Sequence, residues 1–189
     1  MTFIISNRQR AAFVALLIIL AYSMLIYTFT NNKILGFITD ILSGLAVIGI
    51  PLLMFQFFKG YENKKLNLAY MLSRFIEGIL MIIGGICILI PALQSFRDPI
   101  YQYIHIYFFI AGALFFNILL YKTQIIPKFI SIWGILATIA LLIATIIPLF
   151  GFELPILAIL VVPIILNELF LAFWLMIKGF DSEVVKNPQ

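Results

Sequence analysis

Six apolar runs, each near the ~20 residues a helix needs to cross a ~30 Å hydrocarbon core, alternate with short polar breaks. They fall at about 11–30, 34–58, 66–90, 100–121, 129–150 and 155–178. The pattern predicts an all-α integral membrane protein, a six-transmembrane-helix bundle forming one membrane domain over 1–189. Residues 180–189 are expected to be a short, frayed polar tail. The first run outlasts the 7–15-residue apolar region of a signal peptide, so it is expected to stay as a helix.

The third run departs from the apolar pattern. Asn67, Tyr70, Arg74, Glu77, Gly78, Met81 and Gly85 follow the alternating 3, 4 spacing of one helical face, which predicts a polar and small-residue stripe turned into the bundle. Arg74 and Glu77 are i, i+3 neighbours on that stripe. In the sixth run, Asn167 and Glu168 interrupt the apolar sequence. At ~1.5 Å per residue, Glu77 and Glu168 come to the same level near the midplane, with Arg74 about 6 Å from it. Three such charges facing lipid would cost on the order of 7–10 kcal/mol. Arg74 is therefore expected to pair with Glu77, Glu168 or both. Two carboxylates sharing one guanidinium leave an excess negative charge, which favours a proton on one of them.

The remaining polar positions have plainer expectations. Tyr22 and Tyr27 read as interfacial anchors, Asp40 as a solvated or capping residue, and Trp133 as part of an aromatic belt. His105 follows Tyr101 and Tyr103 near a boundary, where it is either interfacial or a proton acceptor at an outward cavity. Asn117 is expected to hydrogen-bond across helices. Gly44 and Gly49 permit close packing, and Gly134, Thr138, Leu141, Thr145 and Pro148 form a packing seam.

Composition narrows the class. The chain is 64% hydrophobic and 11% charged, against about 25% charged in soluble domains, so its net charge of +4 is no nucleic-acid footprint. Placing both termini in the cytoplasm puts nine basic residues in inner segments (Arg8, Arg10, Lys59, Lys64, Lys65, Lys122, Lys128, Lys178, Lys186) and two, Lys33 and Arg97, in outer ones. Arg74 is then the one basic residue inside a span. This split follows the positive-inside rule. The lone cysteine, Cys87, reads as a small buried hydrophobe, and a single histidine excludes a multi-histidine metal site. No cofactor and no metal are expected.

Asn67-Leu68-Ala69-Tyr70 leading to Arg74-Phe75-Ile76-Glu77-Gly78, then Leu120-Tyr121-Lys122 through Ile126-Pro127-Lys128 to Trp133-Gly134, then Glu168 with Phe173-Trp174-Leu175 and Lys178-Gly179-Phe180, occur in this order. Together they resemble the bacterial membrane-protein family called domain of unknown function 4386, over nearly the whole chain. The resemblance implies a small multi-pass protein of the bacterial cell membrane and supplies no activity to carry over.

Three functions follow from the residues. The first is a non-enzymatic module that binds a lipid, a small amphiphile or a partner protein, with Arg74, Glu77 and Glu168 as its polar site and His105, Asn117, Asn167 and Tyr70 beside it. The second is a proton-coupled carrier using the midplane glutamates. The third, an intramembrane enzyme, lacks a recognisable catalytic set. The expected partners are the lipid bilayer, such an amphiphile and a second copy of the chain. The polar cluster could also be a structural pin that sets helix register.

Overall fold

The computed structural model describes residues 6–60, 63–152 and 154–181. Tyr61, Glu62, Lys186 and the rest of the tail beyond Asp181 lie outside the described residues. Among the described residues, six helices are long and apolar enough to cross a membrane: α1 Asn7–Thr30, α2 Lys33–Phe58, α3 Lys64–Leu89, α4 Pro91–Thr123, α5 Lys128–Phe150 and α6 Pro155–Ile177.

Local chemistry sets their ends. Ser6 and Gln9 form a reciprocal capping box that starts α1. Asn31 takes the left-handed conformation that closes α1 (φ 51°), and Asn32 accepts from the Leu35 amide to begin α2. Gly179 (φ 75°) follows α6, as the Lys178-Gly179 stop signal predicts.

Short connections make successive helices antiparallel, so the bundle has two ends. One, here the terminal end, carries Ser6, Lys59, Gln124 and Gly179. The other, the far end, carries Asn31, Pro91 and Gly151. The terminal end is densely packed: Ala11, Val14, Met54, Phe58, Leu120 and Leu175 belong to one buried core. Phe180 joins it, 4.7 Å from Phe57 between ring centroids, and the Asp181 amide donates to Ile125. The start of the expected frayed tail is thus docked, because Phe180 has apolar surface to bury.

α2 and α3 make the closest approach. A Cβ on Gly44 would lie 2.6 Å from the Gly78 carbonyl, and a Cβ on Gly78 would lie 2.6 Å from that of Gly44. Only a glycine pair permits this backbone contact. Asn67, Tyr70, Arg74, Glu77, Gly78, Met81 and Gly85, the predicted stripe, are all buried.

The fourth helix starts earlier than its hydropathy suggests. α4 begins at Pro91 and not near residue 100, so Arg97 and Asp98 are helical. Pro99, which has no amide hydrogen to donate, sits just before a π-helical turn at Tyr101–His105. Arg97 folds back onto Asp40, with Nε 3.0 Å from Oδ2 and Nη2 3.2 Å from Oδ1. Asp40 is fully buried and is neither solvated nor a cap, because this fork replaces its water. The guanidinium lies between the Tyr27 and Tyr101 rings, 4.6 Å from each centroid.

Candidate functional site

Arg74 is the centre of the site. Its Nη1 donates to both Glu77 oxygens at 3.1 and 2.9 Å, an i, i+3 pair on α3. Its Nη2 lies 3.6 Å from Glu168 Oε1 on the antiparallel α6. The depth match between α3 and α6 therefore becomes a contact. Arg74 also faces the Phe109 ring at 5.6 Å. Gly112 on α4 leaves the room its stem needs.

Tyr22 completes the cluster. Its hydroxyl donates to Glu168 Oε2 at 2.6 Å, so this tyrosine is no interfacial anchor. The cause lies in α2. Ser43 Oγ accepts from the Met24 amide at 2.9 Å and donates to the Leu20 carbonyl at 3.2 Å. These are two groups that an uninterrupted α-helix bonds to each other. A side chain inserted into the ladder breaks its register, and a 3-10 turn at Tyr22–Met24 results. That turn directs Tyr22 inward.

His105 reaches the same place from the π-helical turn of α4. It is buried, and its Nε2 lies 3.9 Å from Glu77 Oε1, beyond hydrogen-bond reach, with no other protein partner. Its ring is 4.9 Å from that of Tyr101, which links the inner cluster to the Arg97–Asp40 pair. Tyr70, one turn from Arg74 toward the terminal end, stacks on Phe116 (5.3 Å, 16°) and meets Phe58 edge-on. This aromatic trio closes the site on that side.

Above the trio lies a cavity of about 580 Å³, to which all six helices contribute. Arg74, Glu77, Glu168, Tyr22 and His105 line its deep part. Leu25, Tyr103 and Leu149, which also line it, are exposed near the far end, so it opens there. The rest of the lining is mainly apolar and aromatic. Leu141, Thr145 and Pro148 of the expected α5 seam line this space, whereas Gly134 and Thr138 are packed.

Asn117 and Asn167 stand outside the cavity. Asn117 Nδ2 donates at 2.9 Å to Ala113 within α4, and its amide fills the space over Gly134 of α5. It therefore packs across helices without the expected cross-helix hydrogen bond. Asn167 Nδ2 donates to the Ile130 carbonyl at 2.9 Å and ties α6 to α5. Among the described residues, no three His, Cys, Asp or Glu side chains group as a metal site requires.

A six-helix bundle of membrane-spanning length with a polar cluster on the floor of an apolar cavity is the class these observations define. The chain belongs to the family described as Domain of unknown function (DUF4386), whose model matches residues 13–179. Neither curated proteins nor solved structures give a match to it.

Proposed function

We infer that this protein is a non-enzymatic binding module of the bacterial cell membrane, a single six-helix domain with both termini cytoplasmic, that holds a lipid or small amphiphile in its cavity. One observation carries the inference: Arg74, Glu77 and Glu168, although paired with one another, also line an open cavity, which a structural pin does not need. The volume falls within the ~300–1,000 Å³ range of small-molecule sites. Apolar walls suit a tail, and the polar floor suits a head. The nine-to-two distribution of basic residues supports the orientation, which makes the open far end the outer one.

The test is purification in a mild detergent followed by mass spectrometry of co-purifying molecules. A stoichiometric amphiphile is the expected result. A ligand-free sample that also takes up none from a lipid extract would contradict the inference.

A second reading, a proton-coupled carrier, draws on the same glutamates. They face a cavity open at one end and closed at the other by Phe58, Tyr70 and Phe116, as one state of an alternating-access cycle would be. Proton-coupled uptake into proteoliposomes that survives both Glu77→Gln and Glu168→Gln would rule it out.

A further inference from the structure

The cavity floor points to the charge of its ligand. We propose that the occupant is a cationic amphiphile, a protonated amine on an apolar tail, with its ammonium group against Glu168 and Glu77. The proposal rests on the cavity being a binding site, as inferred above.

Two carboxylates share one guanidinium, a formal sum of −1. Arg74 is not divided evenly between them. Glu77 receives its Nη1 through both oxygens, while Glu168 has the longer 3.6 Å contact and the Tyr22 hydroxyl. Glu168 is also the most accessible of the three side chains, at 12% against 5% for Arg74 and 2% for Glu77. Its Oε1 is thus the acceptor most open to a ligand. An uncompensated charge in a low-dielectric cavity costs several kcal/mol; a proton on one glutamate offsets it in the empty cavity, and a bound monocation takes that proton's place where a neutral head does not.

His105 adds a further group at the same place. Its buried Nε2 has no protein partner and borders the same space. In the tautomer with its proton on Nδ1, Nε2 is an acceptor. Glu168, Glu77 and His105 then offer acceptors for the three N–H donors of a primary ammonium. Tyr22 and Tyr107 also line the space and their rings can add cation–π attraction for the same head, whereas those of Tyr101 and Phe109 already meet Arg97 and Arg74. Among the lining residues, no lysine and no second arginine would receive an anionic head. A carboxylate or phosphate there would meet two glutamates.

The experiment compares three probes of equal chain length, dodecylamine, dodecanol and dodecanoate, against the full chain in zwitterionic nanodiscs at neutral pH. Binding is read by native mass spectrometry, with the cavity-filling variant Ala144→Phe correcting for partition into lipid. Dodecylamine is expected to bind about tenfold or more tighter than dodecanol, which is 1.4 kcal/mol, and dodecanoate weakest. Glu168→Gln should remove most of the amine's advantage over dodecanol. Dodecanol or dodecanoate binding as tightly as the amine would overturn this proposal and leave the binding site standing. If no probe binds saturably, both fall. Saturation of the wild-type protein by itself separates site binding from partition into lipid, so a variant that fails to fold does not obscure these outcomes.

Discussion

Gly112 and Arg74 are in contact across the α3–α4 interface: a Cβ on Gly112 would sit 3.0 Å from Arg74 Cδ and 3.1 Å from its Nε. The absence of a side chain on α4 is what lets the guanidinium stem lie flat and reach both glutamates. Gly112→Val should therefore push Arg74 off Glu77. Overpacking of this kind costs about 1–3 kcal/mol, to be measured by reversible unfolding in mixed micelles. Gly60, with open space around its Cβ position, is the control, and Gly60→Val should change stability little.

The ion cluster should respond unequally to removal of its members. Arg74→Met leaves two buried carboxylates without a cation and should cost about 3–5 kcal/mol. Glu168→Gln should cost about 1 kcal/mol, because its contact with Arg74 is long and its amide keeps an acceptor for Tyr22. Glu77→Gln, with two short contacts and 2% exposure, should fall between them. The unfolding free energies of the three variants test the order.

Tyr22 and Glu168 should be energetically coupled. A 2.6 Å hydrogen bond to a carboxylate contributes about 1.5–3 kcal/mol where it is desolvated. A double-mutant cycle with Tyr22→Phe and Glu168→Leu, which removes the acceptor that a glutamine would keep, isolates the pair. A coupling of about 1 kcal/mol or more is expected. Ser43→Ala should lower it, since Ser43 sets the turn that aims Tyr22.

Six spans, the buried stripe of α3 and the meeting of Arg74 with Glu77 and Glu168 were legible in the sequence. Each depends on hydropathy, on helical period or on depth, quantities that one helix carries by itself. Tyr22 was not legible in this way. A tyrosine near a helix end reads as an anchor unless something turns it, and here the cause is a serine on another helix inserted into the ladder. Asp40 was misjudged for a related reason. Its burial depends on Arg97, which the local drop in hydropathy assigned to a loop, although the backbone from Pro91 onward is helical. His105 was placed at a boundary because the π-helical turn that rotates it inward has no periodic signature.

Arg97 should not tolerate lysine. Its fork bonds both Asp40 oxygens while its plane lies between Tyr27 and Tyr101. A lysine keeps the charge but neither the fork nor the stacking. Arg97→Lys is expected to cost about 2 kcal/mol, a loss in the range for broken charged hydrogen bonds. Because Asp40 is fully buried, raising the salt concentration should barely change the difference. Thermal unfolding at low and high salt checks both points.

The polar cluster either serves a filled cavity or only pins three helices, and the two differ in what a blocked cavity does. Ala144 lines the cavity and takes no part in the Arg74, Glu77, Glu168 and Tyr22 contacts, so Ala144→Phe obstructs the space without removing an ion-pair partner. The deciding measurement is native mass spectrometry of wild-type and Ala144→Phe protein purified in parallel, with thermal stability recorded for each. The predicted result is a bound amphiphile on the wild type, its loss from the variant, and a melting temperature unchanged or raised. A folded variant that keeps the wild-type occupancy would contradict the account.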